Sequence, residues 1–175
     1  MSVKHLVDAA RSANTQENWY ASLAIALTLP DICGRIAYPG VKSGKRVAMF
    51  FDRYLAHHYV CGPTFWPIVS MTGGDFYALR CAYLHQGEFD LQGQDARSVL
   101  AKFELVSPKV AQSHNNLSAA GIGPDGKVTE GTLQIRVDIF CEQVCAAIEA
   151  WLVDVANDVR IQSAINSLGK IAGAS

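Results

Sequence analysis

Between Thr72 and Gly87 the sequence carries a helix with both of its ends marked. Thr72 followed by Asp75 has the form of a capping box, and Gly87 stands where a left-handed C-cap residue is wanted. At about 100° per residue, Phe76, Leu79, Arg80 and Tyr83 share one arc, and Arg80 is its one charge. Ala78, Cys81, Ala82 and His85 repeat the spacing on the opposite side. A helix with two buriable faces needs two neighbours, and its small face invites close approach by a helix of the same chain or of a second copy. Arg80 and His85 lie about 140° apart around an α-helix. They meet on one small group only if the arginine bends round or two copies combine, so the spacing points to a composite site.

The rest of the chain is expected to fold around this helix as one unit. With 175 residues, 50% of them hydrophobic and 18% charged, the composition suits a single well-buried domain over 1–175. A net charge of −1 makes any nucleic-acid contact depend on a local patch. The five cysteines are odd in number, no apolar h-region stands at the N-terminus and no apolar run approaches membrane length, which together fit a reducing cytoplasm and no membrane partner. Cys141 and Cys145 are spaced i, i+4, but with no second pair at ligand spacing they read as small buried hydrophobes; no metal or other cofactor is called for.

Upstream, a short helical pattern runs from Val3 to Arg11 and breaks at Ser12–Asn14. A second helix starts at Thr15, carries Trp19, Leu23, Ala26 and Leu27, and closes at Leu29–Pro30. Asp31 then caps the next turn, or it turns inward to pair with a buried Arg80. The loop 38–46 resembles a phosphate loop but fails as one: Gly40 to Gly44 is one residue short, and Arg46 stands where a hydroxyl should hold magnesium. A nucleotide triphosphatase is excluded. Lys42, Lys45 and Arg46 nevertheless cluster at a helix start, where amide donors and basic side chains favour an anion, and Arg53 follows one or two turns on. The alternative is a solvated basic face.

That helix should run from Ser43 to about Tyr59, burying Val47, Phe50, Phe51, Tyr54 and His58, and end at 61–67. His57 and His58 diverge by about 100°, so they do not chelate one ion. Downstream, Phe103 and Leu105 alternate as a strand ended by Pro108, residues 109–126 look loop-like with a turn at Gly123–Gly126, and Leu133, Ile135 and Val137 mark a second, half-buried strand. The two should pair as an antiparallel ribbon, with a third strand near Val128. A last long helix opens near Asp138 and carries Phe140, Val144, Ala147, Ile148, Trp151, Val155 and Val159, with a break expected around Asn157–Asp158.

The string Leu79-Arg80-Cys81-Ala82-Tyr83-Leu84-His85-Gln86-Gly87 resembles the Arg-x4-His motif of the HEPN superfamily. Residues 29–34 and 50–55 resemble stretches of uncharacterised bacterial proteins of that kind, so the likeness spans roughly residues 20 to 90. It implies a mainly α, HEPN-like antiparallel helical bundle, here with a β-ribbon and loop insertion at about 101–137 before the C-terminal helix. It also implies a homodimeric, metal-independent ribonuclease acting on RNA, in defence or as a toxin restrained by an antitoxin or other partner protein. Arg80 and His85 would be catalytic, Lys42, Lys45, Arg46 and Arg53 would bind phosphate, and Asp31 and Tyr77 would support them. Two further classes stay open: a non-catalytic RNA- or nucleotide-binding domain of this kind, and a dimeric interaction protein whose two-faced helix is only an interface. On the blandest reading Arg80 is a core arginine satisfied by Asp31, Asp52 or a carbonyl, and His85 is a helix cap.

Overall fold

A computed structural model describes residues 3–61, 67–91, 95, 97–98, 100–118, 121–122, 128–129 and 131–169. Six α-helices dominate them: α1 (Val3–Thr15), α2 (Trp19–Ala37), α3 (Ser43–Tyr54), α4 (Gly73–Cys81), α5 (Val137–Asp154) and α6 (Val159–Asn166). α2 packs against α1, α3, α5 and α6, and α4 lies on α3. The protein is therefore mainly helical, with a small sheet set between α4 and α5.

Local chemistry explains where the helices differ from the sequence expectations. α1 runs through Ser12–Asn14, where Ser12 Oγ accepts from Gln16 Nε2 just past the helix end and Asn14 Nδ2 donates to Asp138 O, each at 3.0 Å. The turn comes later, at Glu17 (φ 57°), and Asn18 caps α2 by accepting from Ala21 N. α2 continues past Pro30, although an interior proline removes a hydrogen bond and costs about 3 kcal/mol. Burial of Cys33 and Ile36 beyond that point offsets the cost. Contrary to the expectation that no run approaches membrane length, α2 is long and apolar enough to cross one by length and composition, yet half of that window is buried in the fold.

α3 stops at Tyr54 and gives way to a 3₁₀ turn at Ala56–Tyr59, leaving His58 only half-buried. Strand β1 (Val60–Cys61) pairs antiparallel with β2 (Ile68–Val69), a ribbon that sequence reading missed; residues 62–66 lie outside the described set. The last helical stretch divides at Val155–Asp158. Asp158 caps α6 by accepting from Ile161 N at 2.9 Å, and Val159 is exposed.

The sheet corrects the expected ribbon. β3 (Leu100–Val106) runs parallel to β7 (Gly131–Arg136), from Leu100 opposite Gly131 to Val106 opposite Arg136. The antiparallel neighbour of β7 is β4 (Asn116–Ser118), within the stretch expected to be loop. Two-residue strands β5 (Gly121–Ile122) and β6 (Val128–Thr129) pair beside them, while the expected turn at residues 123–126 falls outside the described residues. Alternation of Leu133 and Ile135 fixes which face is buried but not which way the partner strand runs. The connection from β3 to β7 is long enough for a parallel crossover.

Phe76 of α4 joins these parts, with its ring 5.5 Å from Phe51 of α3 and 5.9 Å from Phe140 of α5. Cys33, Cys141 and Cys145 are buried free thiols; burial lifts the last two to about 12, which suits packing groups rather than nucleophiles.

Candidate functional site

The N-terminus of α4 is fixed by a fully buried carboxylate. Asp75 Oδ2 accepts from Thr72 N (3.0 Å) and Thr72 Oγ1 (2.6 Å), and Thr72 Oγ1 accepts from Asp75 N, which completes the capping box. Asp75 Oδ1 also accepts from Ser98 N (2.8 Å) and Leu100 N (3.1 Å), tying the helix to the start of β3. Gly73 permits contact with α3: a Cβ there would stand 2.6 Å from Ala48 Cα. Gly34 does the same between α2 and α3, where a Cβ would meet Arg46 O at 3.1 Å. These two close approaches bring α2, α3 and α4 together along one line.

On that line Asp31 gathers the charges. Its Oδ1 accepts from Ser43 Oγ (3.0 Å) and Arg46 Nε (2.8 Å), and its Oδ2 accepts from Arg80 Nη2 (2.9 Å). Exposure of the three charged side chains is only 15% for Asp31, 20% for Arg46 and 16% for Arg80. Asp31 is therefore the inward partner of Arg80 and lies inside α2 instead of capping a new turn. Arg46 also donates to Val41 O, whereas Arg80 Nε is buried with no acceptor. Among the described residues Asp31 is the carboxylate paired with both guanidinium groups, two cations on one anion.

Tyr77 lines the same junction with its ring against Gly44, where a Cβ would touch it at 3.1 Å. Contact with the Cys81 thiol first, and burial second, hold its hydroxyl above the ordinary phenol range, while Ser43 and Arg80 act the other way. Lys42 and Lys45 are exposed at the start of α3, Lys42 as the N-cap residue. Arg53 is not gathered with them: it pairs with Asp154 of α5 at 3.0 Å and lies over the Tyr54 ring. Ser43 escaped sequence reading. Its signal was the run of small residues at Gly34, Ser43 and Gly44, which allows helices to approach until short polar side chains meet.

His85 is exposed in the turn that follows α4. The last turn, Ala82–Gln86, is a π turn closed by Gly87 in the left-handed region (φ 73°). Gly87 N donates to Ala82 O and Tyr83 O, and Glu88 N donates to Ala82 O at 3.2 Å. Hydrogen bonding from i to i+5 puts more residues in each turn than the 3.6 of an α-helix, so the angle between Arg80 and His85 narrows from its α-helical value. Tyr83 is held by stacking on Phe89 (5.5 Å, 9°) and by donating to Tyr20 O. The arrangement can offer a fixed cation and, one widened turn later, an imidazole open to solvent. Among the described residues no group of three or more His, Cys, Asp and Glu side chains is placed to hold a metal. No protein-family model, curated protein or solved structure matches the chain.

Proposed function

We propose that the protein is a metal-independent endoribonuclease of the HEPN kind, working through a site that two copies complete. The observation that carries this reading is Arg80, anchored on Asp31 beside Arg46 and followed after one π-widened turn by the exposed His85. RNA cleavage without a metal needs a base for the 2′-hydroxyl, an acid for the leaving 5′-oxygen and a cation for charge building on the phosphate. Arg80 and Arg46 supply a planar, permanently charged surface for phosphate oxygens.

Histidine moves protons near neutral pH. One His85 removes the 2′-hydroxyl proton as that oxygen attacks phosphorus; the His85 of a second copy protonates the departing 5′-oxygen. The products are a 2′,3′-cyclic phosphate and a 5′-hydroxyl end. Lys42 and Lys45 extend the phosphate contacts, and Tyr77 and Asp31 position Arg80. The two arginines sharing one carboxylate also suit a second reading, a binding domain that holds RNA phosphates without cutting them, because that task does not need His85.

Cleavage of a mixed RNA pool in EDTA by wild type and His85→Ala separates the two. The ribonuclease reading expects cutting by wild type alone, with cyclic phosphate ends and unchanged RNA binding by the variant. Full activity in His85→Ala removes His85 from the mechanism, and binding without cutting by a folded, dimeric wild type favours the second reading.

A further inference from the structure

Where β7 passes into α5, a second group of ionisable side chains surrounds His114, which the proposed chemistry does not use. His114 is half-buried ahead of β4, and its Nδ1 accepts from Arg136 N at 3.2 Å, where β7 passes into α5. An imidazole nitrogen that accepts a backbone N–H must be unprotonated. The other nitrogen, Nε2, is buried without a partner. Asn115, next in the chain and in the left-handed region (φ 59°), donates to His58 O at 3.1 Å and accepts from Ser70 Oγ at 2.7 Å. Arg136 Nη1 adds a bond to Gln112 O. These bonds pin the segment before β4 to the 3₁₀ turn, to the residue after β2 and to the end of β7.

We propose that His114 is a neutral-imidazole latch that holds the 112–115 segment, ahead of β4, on the junction of β7 and α5 and releases it on acidification. The surroundings oppose a charge on the ring. From the 3₁₀ turn it is faced by the Tyr59 ring at 6.4 Å and by His58, whose own ring lies 4.0 Å from His57. From β7 comes the Arg136 guanidinium, and from α5 come Gln143, whose Oε1 already accepts from Tyr59 Oη at 2.8 Å, and Asp138, both of whose oxygens are taken by Arg136. Burial is the largest influence and pushes His114 below the ordinary histidine value; Gln143 and then Asp138 act against it, the Arg136 guanidinium adds a smaller push downward, and the Arg136 backbone contact a smaller one upward.

Protonation would turn Nδ1 into a donor aimed at the Arg136 N–H. An open cleft of about 440 Å³ walled by His58, Asp138 and Gln143 gives water a route to this cluster. A group whose folded value is depressed stabilises the closed form above its unfolded value, about 6.5, and that contribution is lost as pH falls toward the folded value.

Imidazole titration and amide exchange of the ¹⁵N-labelled wild-type protein test the latch between pH 7.5 and 5. The expected result is a His114 midpoint below 6.5 and, after correction for intrinsic exchange, at least about a tenfold fall in Arg136 amide protection across it. In His114→Asn, whose side-chain oxygen can stand near the Nδ1 position without titrating, that fall should vanish. A wild-type midpoint at or above about 6.5, protection of Arg136 that is flat through the midpoint, or the same fall in His114→Asn overturns the proposal. The first two are read on wild type alone, so the test survives a variant that fails to fold.

Discussion

Replacing Asp31 by Asn removes a charge and almost no volume, so it isolates the electrostatic role of the residue on which α2, α3 and α4 converge. Wild-type Asp31 takes Ser43, Arg46 and Arg80 at 2.8–3.0 Å. The amide can still accept on one oxygen, but its NH2 must face one of the guanidinium groups as donor to donor. Removing one member of a buried ion pair costs about 3–5 kcal/mol. Exposure of 15–20% admits some water, which lowers the expectation to about 2–4 kcal/mol. For a chain of this size that is a fall of roughly 5–12 °C in Tm.

Urea denaturation at pH 7 would read the loss as a lower midpoint with an unchanged slope. A double-mutant cycle with Arg46→Met adds a sharper requirement. Once one of the two cations is gone, the loss from Asp31→Asn should shrink by about 1 kcal/mol or more. A loss below about 0.5 kcal/mol for Asp31→Asn alone would refute the argument that Asp31 is the counter-ion holding both arginines.

Gly73→Ala should cost about 1–3 kcal/mol in the same measurement, because the new Cβ would stand 2.6 Å from Ala48 Cα and 2.8 Å from Ala48 O, and backbone cannot swing aside. Gly34→Ala meets Arg46 O at 3.1 Å and should cost less; the reverse order would contradict the packing described for the α3–α4 contact. Stability should fall on acidification in two stages. His58 and His114 are held below the usual histidine value by burial, so their contribution is present above about 6.5 and lost below it. Asp138 is held below the usual carboxylate range chiefly by the Arg136 guanidinium, so its contribution is present above about pH 4 and lost as pH falls further. Denaturation midpoints taken from pH 8 to 3 that stay level between pH 7 and 5 would contradict the first stage.

The marked helix was legible in the sequence because its determinants are local. Thr72 and Asp75 satisfy orphan amides three residues apart, and Gly87 alone tolerates its positive φ without a Cβ, so the capping box and the left-handed end needed no tertiary information. Core residues such as Phe50, Phe76, Phe140 and Trp151 were legible for the same reason, since their periodicity is a property of one element. Tertiary structure decided what depends on partners distant in sequence. Pro30 stays inside a helix because the residues beyond it are buried, and Asn14 stays helical because Asp138 O accepts from it. Strand direction in the β3–β7 pair is set by the path of the crossover, which alternation does not encode. Asp31 could cap or pair by its sequence position; the close approach allowed by Gly34 and Gly73 brought Arg46 and Arg80 to it, and a part-buried guanidinium without a carboxylate would be costlier than an uncapped turn.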